Sequence, residues 1–209
     1  MRLRSLVLSL VVAFAVVVGD SAVSDRSLAY ADARVVIGQP SGARRGIELN
    51  IRGNAYYGYS WFDGLYGYGR YYGDAALGPG FQMLFPVVQN GFIPSINNAF
   101  YVGFFTDFLF IPDVAFGYRD FLFSFAIGPV AQWRFFILDM FQGGGLSAFT
   151  NLGFGIWPWF LGNRFASSSV AIYGFPLFEL GANLMFSKLF GLTLSFGYPS
   201  VKFGITLSF

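Results

Sequence analysis

Large apolar residues alternate with small or polar residues through most of the chain after residue 45. The C-terminal segment 200–209 reads SVKFGITLSF, and its large apolar residues occupy every second position: Val201, Phe203, Ile205, Leu207 and Phe209. A period of two is typical of a β-strand whose two faces meet different surroundings. The pattern therefore predicts a strand over 200–209 with one wholly apolar face.

The same alternation predicts seven further strands, over 46–61, 77–87, 99–111, 121–137, 146–157, 169–186 and 191–198. Phe, Tyr, Trp, Val and Ile, which favour strands, dominate these segments. Nearly all of them reach the roughly 9–11 residues that a tilted strand needs to cross a bilayer. A set of about eight such strands is the even number expected of a bacterial barrel.

Charged residues after residue 33 lie either in connections or on the polar faces of these strands. Contact with lipid would enforce this exclusion, because an outward Arg or Lys at mid-membrane costs about 2–4 kcal/mol. The composition agrees, since only 11% of the residues are charged, against about 25% in a soluble domain. We predict an all-β fold, a transmembrane antiparallel up-and-down β-barrel over 46–209, with a polytopic helical protein as the alternative.

The N-terminus has the features of a secretory signal peptide over 1–33. Two arginines precede the apolar run SLVLSLVVAFAVVV, which is too short for a comfortable spanning helix. Cleavage is expected after Ala33, and a site near Ser24 or an uncleaved anchor remain alternatives. The basic segment 34–45 would then be a periplasmic N-terminal segment that either plugs the barrel or hangs free.

A terminal Phe on an alternating apolar strand resembles the assembly signal of bacterial outer-membrane proteins. The architecture resembles the small barrels of OmpA, OmpX and OmpW type. The resemblance implies residence in the bacterial cell outer membrane and contact with the lipid bilayer and lipopolysaccharide. It also implies that the outer-membrane insertion machinery reads the apolar face of the last strand, from Val201 to Phe209.

The polar faces of the predicted strands carry three acids and three bases: Glu48, Asp107, Glu179, Arg52, Arg134 and Lys202. An eight-stranded barrel has an interior that side chains fill, so we predict a self-neutralising network of buried charges. The alternative is a narrow channel for small or hydrophobic solutes, with the charges as a gate. Because the acids come from different strands at different heights, we expect no close pair of carboxylates.

Tyrosine is concentrated in one Gly-rich connection between the first two predicted strands, which carries Tyr66, Tyr68, Arg70, Tyr71 and Tyr72. Tyr combines a flat apolar ring with a polar tip, which suits contact with glycans or proteins. We interpret this loop as an extracellular recognition surface for an unknown ligand. The alternative is an aromatic girdle resting among lipid headgroups.

Catalytic and metal chemistry find little support in the sequence. The chain has no His and no Cys, which excludes a Ser-His-acid triad and thiolate metal sites. No phosphate loop or dinucleotide motif occurs, and a net charge of +2 is too small to indicate nucleic acid. We therefore predict no enzyme, no cofactor and no metal, with a lipid-modifying enzyme as the least favoured alternative.

The recognition hypothesis predicts the effect of changing Tyr66, Tyr68, Tyr71 and Tyr72 together to Ser. Binding of glycans or proteins to cells that display the barrel is expected to be lost, because the apolar rings are removed. The barrel itself is expected to fold normally. Cell-surface binding that survives the four changes would contradict the hypothesis.

Overall fold

A computed structural model describes residues 34–39, 46–57, 75–112, 121–140, 144–161 and 169–209. The chain divides into two compact units, Met1–Ala31 and Asp32–Phe209, and every described residue belongs to the second. The predicted signal peptide and the Tyr-rich loop lie outside the described residues.

The described residues form nine strands and no helix. A two-residue strand comes first, followed by eight long ones: β1 Arg34–Val35, β2 Glu48–Tyr57, β3 Ala75–Val88, β4 Asn98–Pro112, β5 Phe121–Met140, β6 Gly144–Leu161, β7 Ser169–Met185, β8 Phe190–Tyr198 and β9 Ser200–Ser208. The long strands correspond in order to the eight predicted from the alternation.

The eight long strands close into a barrel. Each pairs antiparallel with its neighbours in sequence, and β9 pairs with β2 to complete the ring. The last residue continues this seam, since Phe209 N donates to Ile47 O at 2.9 Å and Phe209 O accepts from Ile47 N at 3.1 Å. The predicted fold, an antiparallel up-and-down barrel of about eight strands, is confirmed.

The two faces of each strand meet opposite surroundings, as the alternation predicted. Outward residues are apolar and exposed, such as Leu152 at 56% and Phe203 at 58% of their full accessible area. Inward residues are buried and largely polar, such as Gln82, Gln132 and Asn151. Most polar residues of the described strands therefore point inward, and the outward faces are mainly apolar.

The registers of the strand pairs show that the strands are strongly tilted. Paired residues can be followed around the barrel from Val88, and the path returns to β3 at Leu77, about eleven residues away. It passes through Phe100, Trp133, Thr150, Leu180, Phe196, Val201 and Ala55. Residues at one height therefore cannot be identified from their distance to the strand ends.

Two predicted connections are wrong in extent. The predicted strands end at 137 and begin again at 146, yet β5 continues to Met140 and β6 starts at Gly144. Likewise the strand predicted over 146–157 continues through PWFL at 158–161 in β6. Both errors have one cause: cross-strand hydrogen bonds in the closed sheet hold Pro- and Gly-containing segments that favour loops on local grounds.

The connection between β3 and β4 is organised by Asn98. Its amide oxygen accepts from Phe92 N at 3.1 Å and from Trp133 Nε1 at 2.9 Å. Its amide nitrogen donates to the backbone oxygens of Ile93 and Ile96 at 2.8 and 2.6 Å. Gly91 adopts φ 60° beside this amide, a conformation that favours glycine.

The segment 34–39 adds a short strand to the edge of the barrel. β5 extends beyond β4, which begins with Asn98 opposite Phe135, and this leaves one edge of β5 without a β4 partner. β1 pairs with that edge, with Arg34 opposite Asp139. The pairing continues through Val36 N, which donates to Ile137 O at 3.0 Å. Residues 40–45 lie outside the described part of the chain.

Candidate functional site

The six charged residues singled out in the sequence all point into the barrel. β2 carries Glu48 and Arg52, while the other four come from separate strands: Asp107 on β4, Arg134 on β5, Glu179 on β7 and Lys202 on β9. Each is at most 4% exposed. The alternation places them inward, because they share a face with the polar residues of their strands.

Four of the charges form one compact group. Lys202 Nζ lies 2.9 Å from Asp107 Oδ2 and 2.8 Å from Glu179 Oε1. Arg52 lies on the other side of the same carboxylates, with Nη2 3.8 Å from Asp107 Oδ1 and Nη1 3.9 Å from Glu179 Oε2. Two acids and two bases thus alternate in a ring whose formal charge is zero.

The expectation that no two carboxylates come close is wrong for Asp107 and Glu179, since both contact the same ammonium group. The tilt of the strands brings residues from β4 and β7 to one level of the barrel. The length of the Lys202 side chain bridges the remaining gap across the lumen. Because two cations accompany the two acids, the arrangement is a closed set of ion pairs.

Arg134 and Glu48 form a second group. The Arg134 guanidinium donates two hydrogen bonds to the Glu48 carboxylate, Nη1 to Oε1 at 2.5 Å and Nη2 to Oε2 at 2.6 Å. Gln132 Oε1 accepts from Arg134 Nε at 3.0 Å, and the ring of Tyr101 lies 4.9 Å from the guanidinium carbon. A two-pronged pair of this kind fixes geometry as well as charge.

Uncharged polar side chains join the two groups. Gln132 Nε2 donates to Asn151 Oδ1 at 2.9 Å, and Asn151 Nδ2 donates to Glu179 Oε2 at 2.9 Å. A second branch runs from Arg52 Nη1 to Gln82 Oε1 at 2.9 Å. The interior is therefore one connected hydrogen-bond network from Glu48 to Asp107.

An aromatic layer adjoins the four-charge ring. Tyr56 donates its hydroxyl to Asp107 Oδ2 at 2.5 Å. Its ring contacts Trp157 and Phe175 edge-on, with centroids 6.0 and 6.3 Å away. Phe105 continues the layer, 6.3 Å from Phe175 and 5.0 Å from Lys202 Nζ. Buried aromatic rings therefore cover the ring of charges on this side.

Inward glycines make room for these large rings. A Cβ atom on Gly155 would come within 2.2 Å of the Phe175 ring, and one on Gly181 within 2.3 Å of the Phe149 ring. The space that a side chain would take at Gly155 or Gly181 is thus filled by a neighbouring aromatic ring. This agrees with an eight-stranded barrel whose interior is filled by side chains.

The sequence prediction missed the residues that connect the charges. Gln82, Gln132, Asn151, Tyr56 and Trp157 were given no role. Parity identifies two of them as inward, since Tyr56 and Gln132 lie an even number of residues from Arg52 and Arg134 on their own strands. Which of them touch one another has no signal in the sequence.

The remaining predicted site residues divide into two sets. Tyr66, Tyr68, Arg70, Tyr71 and Tyr72 lie outside the described residues. Val201, Phe203, Ile205, Leu207 and Phe209 share the outward face of the closing seam, and Phe209 is 74% exposed. The apolar row of the last strand is therefore available to surroundings outside the barrel.

Comparison with known proteins identifies no relative, since no protein-family model matches the chain and no curated protein matches its sequence. Within the described residues, no helix is long and apolar enough to cross a membrane. The same part of the chain holds no cluster of three or more acidic, His or Cys side chains suited to a metal ion.

The two-pronged pair predicts strong coupling between Arg134 and Glu48. Arg134→Met is expected to lower the free energy of unfolding by about 3–5 kcal/mol, because it leaves a buried carboxylate unpaired. Combining it with Glu48→Gln is expected to cost less than the sum of the single changes, with a coupling of about 1–3 kcal/mol. Urea unfolding of the refolded protein measures both quantities.

Lys188→Met is the control for loss of a positive charge, since Lys188 is exposed between β7 and β8. Its effect is expected to stay within about 0.5 kcal/mol. Additive effects of the Arg134 and Glu48 changes would show that the pair does not hold in the folded protein.

Proposed function

We propose that this protein is an integral β-barrel of the bacterial outer membrane, with a structural or surface-interaction role and no catalytic activity. The observation that carries the proposal is the apolar exterior. Large hydrophobic side chains are exposed on each of the strands β3 to β9, for instance Leu77, Leu152 and Ile172. Such a surface would drive association in water, whereas lipid accommodates it without cost.

The distribution of charge supports the same conclusion. Of the charged residues in the described part of the chain, six point inward. The other three, Arg34, Asp139 and Lys188, lie at the barrel end where β5 and β7 finish. The outward faces of the described strands therefore carry an uncharged belt, which is what hydrocarbon requires of a spanning barrel.

Aromatic residues gather at this same end. Phe92 in the β3–β4 connection lies 5.0 Å from Phe100 and 6.3 Å from Trp133, centroid to centroid. Phe186 and Phe190 stack at 6.0 Å on the neighbouring rim. Aromatic girdles of this kind mark the two interfaces of membrane barrels. The end with short connections would correspond to the periplasmic side, and the Tyr-rich loop to the extracellular side.

The closing seam supports recognition of the last strand during assembly. β9 completes the ring by pairing with β2, so the barrel closes only when this strand is in place. Its apolar row, Val201 to Phe209, faces outward where the insertion machinery would read it. Lipid and lipopolysaccharide are the remaining partners of the proposal.

A depth-dependent test addresses the membrane location. Leu152→Arg, at the middle of β6, is expected to lower the free energy of unfolding in vesicles by about 2–4 kcal/mol. Val201→Arg makes a similar change on the same face but beside the Tyr198–Pro199 turn, and is expected to cost at most about 1 kcal/mol. Denaturant titration in vesicles measures both. Equal effects at the two positions, or a more soluble and equally stable Leu152→Arg protein, would contradict the proposal.

The filled interior favours a structural role over transport. The charge network lies in the lumen with the aromatic layer beside it, and every charged side chain of the network is ion-paired or hydrogen-bonded to another side chain. The surface role then falls to the loops, among which the Tyr-rich connection has the composition of a contact surface.

Conductance distinguishes the two roles. The refolded protein, recognised by a shift in gel mobility upon boiling, is expected to give no steady single-channel conductance in a planar bilayer. The physical reason is that ion passage would require separating bidentate and bridged ion pairs in the lumen. A steady conductance that changes in Arg134→Met or Glu179→Gln would instead favour a channel.

A further inference from the structure

The hydrogen-bond network is incomplete at one place, around Gly80 on β3. Six buried polar atoms there have no hydrogen-bond partner among the residues that the structure describes: Arg52 Nε and Nη2, Asn54 Nδ2 and Oδ1, Gln82 Nε2, and Asp107 Oδ1. All four side chains are at most 4% exposed. Elsewhere in the lumen, at Asn151, Gln132 and Glu48, the side chains are bonded to one another.

The four residues are neighbours on one part of the inner wall. Gly80 faces Arg52 on β2 and Asp107 on β4 in the same row of the sheet. A Cβ atom at Gly80 would come within 2.0 Å of Asp107 Oδ1 and 2.2 Å of Asn54 Nδ2. The glycine thus lets both side chains reach the β3 backbone. Arg52 Nη2 stays 3.8 Å from Asp107 Oδ1, which is too far for a hydrogen bond.

The chemistry of the six atoms defines what they bind. Four are nitrogen donors and two are oxygen acceptors, so a ligand has to accept and donate. The nearby charges cancel, with Arg52 and Lys202 against Asp107 and Glu179. An anion would face the Asp107 carboxylate, and a cation would face the Arg52 guanidinium. Only a small neutral molecule that both donates and accepts satisfies the whole set.

We propose that this is an internal hydration site that holds at least one immobilised water molecule. The water donates to Asp107 Oδ1 and Asn54 Oδ1 and accepts from Arg52 and the Asn54 or Gln82 amide. Buried polar atoms in native proteins are nearly always hydrogen-bonded, and buried waters typically make about three such bonds. The site belongs to the barrel interior and does not depend on the proposed surface role.

The Asn54→Leu variant distinguishes a hydrated site from a dry one. The change keeps the side-chain size and removes two of the unpartnered atoms. At a dry site the variant would be more stable, because two unpaired buried polar atoms disappear. At a hydrated site it loses bonds to water, so we expect a lower urea midpoint and a folding equilibrium constant reduced by about tenfold.

Asn151→Leu is the matched control, because both amide atoms of Asn151 are bonded, to Gln132 and Glu179. Asn151→Leu is expected to lower the urea midpoint whether or not the Gly80 site is hydrated. The size of that decrease shows what the loss of direct side-chain hydrogen bonds costs. An Asn54→Leu protein as stable as the wild type, or more stable, would overturn the proposal.

A second measurement needs no variant that disturbs the site. Nuclear Overhauser and rotating-frame spectra of the wild-type barrel in detergent are expected to show long-lived water beside the Asn54 and Gln82 side-chain amides. The peaks should persist in Tyr56→Phe, which removes an exchangeable hydroxyl bonded to Asp107. Loss of the peaks in that variant, their absence in the wild type, or amide shifts that follow added bromide would each overturn the proposal.

Discussion

The ion-pair ring of Arg52, Asp107, Glu179 and Lys202 is the interaction on which the interior depends. Each member alone would be a charge with almost no access to solvent, and breaking a buried pair typically costs about 3–5 kcal/mol. Arranged together, they balance in charge and share their contacts, with Lys202 touching both carboxylates. The four come from four different strands, so the ring also ties opposite walls of the barrel together.

The residues around this ring of charges give it space or hydrogen bonds. Gly80 lets Asp107 and Asn54 approach the sheet, Tyr56 donates to Asp107, and Asn151 donates to Glu179. The Arg134–Glu48 pair is a second buried ion pair elsewhere in the lumen. Gln132 connects it to the ring of charges through Asn151. The two groups and the side chains between them connect several strands across the lumen.

The outer surface of the barrel shows the opposite distribution of polar and apolar residues. Outward residues of the long strands are mainly apolar, with Thr106 and Thr150 among the exceptions. The charged residues outside the lumen, within the described part of the chain, lie at one end. The antiparallel ladder closes through β2 and β9, so all strands are paired along the ring, and β1 covers the edge that β5 leaves beyond β4. A barrel built like this keeps its backbone polar groups bonded inside the sheet, which any apolar solvent demands.

The sequence by itself determined the number of long strands, their order and the face on which most of their residues lie, because a period of two is local and the closed sheet keeps it except at irregularities in β3 and β5. It also determined that Glu48, Arg52, Asp107, Arg134, Glu179 and Lys202 are inward. Only the tertiary structure decided which of them meet. Strand tilt and register set the heights, so Asp107 and Glu179 share Lys202 although the sequence suggested that the acids stay apart. Tertiary structure also decided how far β5 and β6 extend and that Arg34–Val35 pairs with β5. Cross-strand hydrogen bonds hold these segments as strands against their local turn signals, and those bonds form only in the closed barrel.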